Sequence, residues 1–300
     1  MGGRRGIEAE VKILTLKNGY HLWAQKLGQG QHKLLCLHGG PGSDHELFEE
    51  FGKNLAKYDT EVYMYDQLGS YYSEHPDFSI QENVDKYAKI EYFVDEVEEV
   101  RQLLGLEDFF LLGHSWGGIL VQEYALKYGS ALKGAIISDM TDDIASYVKN
   151  INRQRLELLG SDEVQFMEEC EAQQNYDNER YRQNINRLNY RHIIKHPENS
   201  TKHLIPTKNA FLYHYFQGDN EFVVKGTLAD WSVKDQLKDI TTPTCLIFGA
   251  DDSMDLDEAV AMDQRLPNSE LHIIADAAHC SMIDNPTEYF TVLGQFIVGK

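Results

Sequence analysis

Short apolar runs alternate with longer amphipathic stretches along this chain, and the alternation halts between Asp142 and about Leu228 before it resumes. The runs at 11–17, 20–27, 33–38, 61–66, 109–113, 134–139, 244–249 and 270–275 carry strand chemistry. Strands and helices taking turns in this way build an α/β fold around a mostly parallel, eight-stranded sheet. From Val84 to Leu104, Ile90, Phe93, Val94, Val97, Val100 and Leu104 recur at helical spacing, which predicts one amphipathic helix. Its acids, Glu91, Asp95, Glu96, Glu98 and Glu99, are read as the solvated face. The interrupting segment shows helical patterns only, so it is expected to be an all-helical cap inserted between the sixth and seventh strands. There it would lie over the carboxyl ends of the strands, where open α/β sheets bind ligands. The chain thus divides into a first core part, 1–141, a cap, 142–228, and a second core part, 229–300.

Chemistry enters at Gly113-His114-Ser115-Trp116-Gly117, directly after the apolar run Phe109–Leu112 and before the apolar stretch Ile119–Ala125. A serine between two small residues on a sharp strand-to-helix turn stands exposed at the carboxyl end of its strand, placed to attack. A serine alcohol is a poor nucleophile at neutral pH, so a base must take its proton and a third group must hold that base. His279 follows the last strand-like run with Ala277 and Ala278 before it, leaving the imidazole room to turn. The acid is expected after the seventh strand, where Asp252 is the first choice and Asp251 the second. Asp255 or Asp257 in the same loop suits the cap of the following helix.

A tetrahedral intermediate also needs N–H donors aimed at its oxyanion, and a glycine-rich turn exposes them. His38-Gly39-Gly40-Pro41-Gly42 supplies such a turn, so the backbone amides of Gly40 and Trp116 are the expected donors, with Gly39 against the substrate. The turn lacks the Gly-Lys-Ser/Thr continuation of a phosphate-binding loop. A net charge of -20 argues against nucleic acid as a partner. Nothing in the pattern calls for a cofactor or a metal: His192 and His196 have a metal-compatible helical spacing, but a catalytic zinc wants three protein ligands. The four cysteines show no paired spacing, no run approaches the roughly 20 apolar residues of a membrane span, and the first residues lack an apolar signal core. A cytoplasmic enzyme is the expectation.

In order along the chain, His38-Gly-Gly-Pro-Gly42, Asp66-Gln67-Leu68-Gly69, Gly113-His-Ser-Trp-Gly-Gly118, Gly249-Ala-Asp-Asp252 and Ala278-His279 resemble the proline iminopeptidase branch of the α/β-hydrolase fold. Gly218-Asp219-Asn220-Glu221-Phe222, followed by Gly226-Thr227 and Asp230-Trp231, is similar to the cap-to-core return of the tricorn-interacting aminopeptidases. The resemblance implies a serine aminopeptidase that removes an N-terminal proline or small or hydrophobic residue from short peptides. It further implies that Glu221 anchors the free amino group of the substrate. Two departures stand out: Ser253 occupies the position where some relatives carry a second amine-binding glutamate, and Asp255-Leu256 replaces the usual Thr-Pro. Losing one carboxylate would weaken amine selectivity, which leaves a general esterase or amidase acting on amino-acid esters or amides as the alternative.

Overall fold

The computed structural model describes residues 8–200 and 207–300. The first seven residues, part of the amino-terminal segment read above, and 201–206, inside the expected cap, fall outside the described residues. Ten strands occur among those described: β1 (Ala9–Thr15), β2 (His21–Leu27), β3 (His32–Leu37), β4 (Thr60–Tyr65), β5 (Phe109–His114), β6 (Leu132–Ser138), β7 (Gly218–Asn220), β8 (Val223–Val224), β9 (Thr244–Gly249) and β10 (Ser269–Ile274). Eight of them form one sheet in the order β1-β2-β4-β3-β5-β6-β9-β10. β1 and β2 join antiparallel, and every pairing from β4 to β10 is parallel. The expected strand runs match to within two residues.

Side chains of β5 show why the sheet sits at the centre. Phe109 and Leu111 enter one apolar layer, Phe110 and Leu112 the other, and all four are fully buried. Each such side chain contributes roughly 1.5–3 kcal/mol relative to exposure. A strand buried on both faces reads as a continuous apolar run, which is why β5 was visible in the sequence.

Two expectations need correcting. The stretch 84–104 is two helices, Gln81–Tyr87 and Ile90–Leu104, because Lys89 turns extended (φ −150°, ψ 149°) and caps the second. Glu96 is not on the solvated face; it is 2% exposed and accepts the backbone N–H of Leu68 at 3.3 Å. Helical periodicity does not register that the loop 66–69 comes down onto this side of the helix.

Between β6 and β9 the chain leaves the sheet. The helices Ile144–Leu159, Ser161–Ala172, Glu179–His192 and Ala210–Phe216 lie here, together with the hairpin of β7 and β8. The insertion is therefore not wholly helical: Gly218, at φ +124°, starts a strand pair too short to leave a two-residue periodicity in the sequence. Among the described residues no helix is long and apolar enough to cross a membrane.

Candidate active site

Ser115 sits between β5 and the helix Trp116–Tyr128 with φ 55° and ψ −120°, a conformation a side chain adopts only when its surroundings impose it. Those surroundings are glycine. A Cβ on Gly113 would lie 1.9 Å from the carbonyl oxygen of Gly117, and one on Gly117 would lie 2.2 Å from that of Leu37. Strand, turn and helix can approach this closely only with both side chains deleted. The Ser115 N–H donates to Ser138 O at 3.0 Å, fixing the turn to β6.

His279 follows β10 and is 3% exposed; its Nδ1 donates to Asp252 Oδ1 at 2.8 Å. That bond fixes the tautomer and leaves Nε2 to face a reacting group. Burial alone would push the imidazole pKa down, but the charge and hydrogen bond of Asp252, aided by the charge of Glu221, carry it above the ordinary histidine value. Asp252 Oδ1 also accepts the Met254 N–H at 3.0 Å. Asp251 turns the other way, to Arg191 at 2.8 Å and Lys195 at 2.7 Å, so of the two expected acids only Asp252 meets the imidazole. Asp255 caps the helix Leu256–Arg265.

The glycine-rich turn after β3 packs on Ser115: a Cβ on Gly39 would lie 3.2 Å from the Cβ of that serine. Gly40 adopts φ +117° and lines the same small cavity as Ser115, Trp116 and Glu221. Trp116 opens its helix, where the first N–H groups have no helical acceptor and point outward. The turn is braced from below. Buried His38 donates from Nδ1 to Gly39 O at 2.8 Å and accepts the Gln67 N–H at Nε2, 3.1 Å. Gln67 in turn donates to His38 O at 3.1 Å and accepts Trp116 Nε1–H at 2.8 Å. Burial holds His38 below the usual imidazole range, in keeping with a neutral ring that both donates and accepts.

The inserted segment supplies the opposite wall. Glu221 accepts the hydroxyl of Tyr213 at 2.6 Å, and Tyr147 donates to its backbone carbonyl. The cavity shared by Glu221 and Ser115 has a volume of about 10 Å³, room for about one water. A second cleft, of about 1150 Å³, opens on the outer side of Glu221 against Tyr176, Tyr181 and Tyr213.

Comparison with known proteins places this arrangement. The α/β hydrolase fold family matches residues 33–286. The proline iminopeptidase of Flavobacterium johnsoniae is 32% identical over 297 residues, covering 96% of this chain and 97% of the relative. That of Saccharolobus solfataricus is 31% identical, covering 97% and 92%. This chain belongs to the proline iminopeptidase branch of the α/β-hydrolase fold. A crystal structure of the proline iminopeptidase of Mycobacterium smegmatis superposes with a TM-score of 0.80 at 27% identity, covering 96% of this chain and 97% of that one. That of VinJ gives 0.84 at 25%, covering 97% and 98%.

Within this iminopeptidase-type site, several residues carry functions that spacing did not reveal. Gln67, in the Asp66–Gly69 stretch, ties the glycine turn to Trp116. His114 donates from Nε2 to His279 O at 2.8 Å and lies with its ring centroid 4.9 Å from that of His279. From the insertion, Asn150 donates to Ser253 O at 2.8 Å and Gln154 to Asp252 O at 2.7 Å. His192 and Ile193 accept the backbone N–H groups of His279 and Cys280 at 3.2 and 2.8 Å. The helix Glu179–His192 ends before His196, so the helical spacing expected for His192 and His196 is not realised. His192 bonds Asp251 O and His196 bonds Asp276. Of the aromatic cluster 211–216, Tyr213 reaches Glu221, while Phe211 stacks on Phe78 and Phe216 packs on Trp116. Two clusters among the described residues bring three metal-binding groups together. Lys234 and Arg265 already occupy Asp142, Asp143 and Glu258, and near Cys245 the imidazole of His272 bonds Glu270.

Proposed function

We propose that the protein is a serine aminopeptidase that releases an N-terminal proline, or a small or hydrophobic residue, from short peptides and aminoacyl amides. One observation supports it above the rest: Ser115 and the carboxylate-bearing Glu221 line the same small cavity. Residues 142–228 act as the cap that closes it. Ser115 Oγ attacks the substrate carbonyl while its proton passes to His279 Nε2, and Asp252 holds the resulting imidazolium. The N–H groups of Gly40 and Trp116 take up the oxyanion. When the scissile bond breaks, His279 returns the proton to the leaving amine; water then attacks the acyl-enzyme by the same route, freeing Ser115. Glu221 pairs with the substrate ammonium, a charge that an interior peptide bond lacks, so only chain ends fit.

Because His279 must be neutral to act as a base, kcat/KM is expected to fall on the acid side through an apparent pKa above the ordinary imidazole value. Comparing Pro- and Ala-naphthylamide with their N-acetyl forms tests amine recognition; equal turnover of free and blocked substrates would overturn it. One observation favours a broader esterase or amidase activity beside this one. Ser253 is buried with its hydroxyl toward Asp252 at 3.4 Å, so it contributes no second carboxylate to the amine. The buried free thiols of Cys36, Cys170 and Cys245 support placement in the reducing cytoplasm.

A further inference from the structure

Behind Asp252 lies a second carboxyl that the relay does not use. Asp139 directly follows β6, at φ 55° and with no exposure. Its N–H donates to Ile247 O at 2.8 Å and its Oδ1 accepts the Gly249 N–H at 3.1 Å, so it spans the carboxyl ends of β6 and β9. Oδ2 accepts the hydroxyls of Ser138 at 2.7 Å and Ser281 at 2.9 Å. The remaining titratable groups facing it are His114 at 3.9 Å, Tyr289 through Ser138, and Asp252, its nearest like charge. Asp252 has one oxygen engaged three times and the other, Oδ2, buried with no donor among the described residues. A buried carboxylate oxygen left unbonded is costly, and two adjacent buried carboxylates cannot both ionise cheaply.

Both facts resolve together if one proton is held between the pair. We propose that Asp139 is a positioning residue that donates a hydrogen bond from its protonated carboxyl to Asp252 Oδ2, holding the acid in line with His279. This rests on the relay proposed above. Burial and the neighbouring charge of Asp252 push Asp139 well above the usual carboxylate range, in keeping with a carboxyl that keeps its proton. The bond lasts only while that proton stays. As pH rises through its loss, a second negative charge appears beside Asp252 and the alignment fails.

Labelling of Ser115 by a fluorophosphonate reads the relay without a titrating substrate amine. Asp139→Ala is expected to slow it about tenfold or more, the cost of an unsatisfied buried acceptor, and Asp139→Asn, which donates without titrating, to recover most of that loss. Wild type is expected to lose reactivity at alkaline pH, and Asp139→Asn to lack that fall while keeping the acid limb of His279. A merely structural aspartate would not move the alkaline limb. If Asp139→Ala does not fold, the Asn profile still decides, together with the infrared carbonyl band of a protonated carboxyl, expected in wild type and absent in Asp139→Asn. Glu96 contributes a separate band unaffected by the change. An alkaline fall shared by Asp139→Asn, or a carbonyl band unchanged by it, overturns the inference alone, provided Asp252→Ala abolishes labelling. Wild-type labelling by Asp252→Ala overturns the relay reading and this inference with it.

Discussion

The two walls of the cavity are built by different means. On the sheet side, Ser115, Asp252 and His279 stand at the carboxyl ends of β5, β9 and β10, in a parallel sheet whose register fixes the height of each loop. On the cap side, Glu221 follows a hairpin strand of three residues, and its position depends on Tyr147 and Tyr213 reaching it from two separate helices. Sheet register is cooperative and sterically enforced, while the cap wall hangs on a few side-chain hydrogen bonds. The first wall should therefore govern whether chemistry occurs at all, and the second which substrates reach it.

That division can be broken in order of expected effect. Ser115→Ala should lower kcat by about 10⁴- to 10⁶-fold with thermal unfolding unchanged; substantial residual turnover abolished by no other substitution at this wall would remove the nucleophile from it. Glu96→Gln probes the support beneath the 66–69 loop. Its carboxyl, buried against Leu68, has a pKa pushed up to about 8 from 4.5, so the native state holds a proton that the unfolded chain releases. The stability this proton linkage confers is complete below the unfolded value and is lost as pH rises toward 8. The glutamine variant should consequently gain about 2–4 kcal/mol over wild type in denaturant unfolding near the folded pKa, and nothing below the unfolded value of 4.5. A gain independent of pH would refute the linkage. On the cap side, Glu221→Gln should raise KM for Pro-naphthylamide about 10- to 100-fold, the loss of a charge-assisted contact, and barely alter a neutral ester. Equal effects on both substrates would make Glu221 part of the catalytic wall and erase the contrast.

How much of this the sequence disclosed follows the same division. Ser115 was legible because its turn imposes a local demand, two glycines flanking a serine after an apolar run, and no distant residue is needed to state it. His279 and the choice between Asp251 and Asp252 were legible to the extent that strand ends were. The ion pairs with Arg191 and Lys195, which take Asp251 away, involve residues some 60 positions distant and leave no local mark. Glu221 came only through resemblance. Tyr147, Asn150 and Gln154 were not found because helical periodicity reports an apolar face, not which polar side chains will point at a partner on another element. Glu96 was misread for that reason, and the hairpin β7–β8 escaped because five residues are too few to carry a period.

The grip of the cap on the loops beneath it has a mechanical corollary. Gln154 and Asn150 hold the backbone bearing Asp252, while His192 and Ile193 hold the backbone bearing His279. A roof so fastened cannot shift without loosening both loops at once, so the proposed acid and base share a single latch: whatever frees the backbone of one frees that of the other.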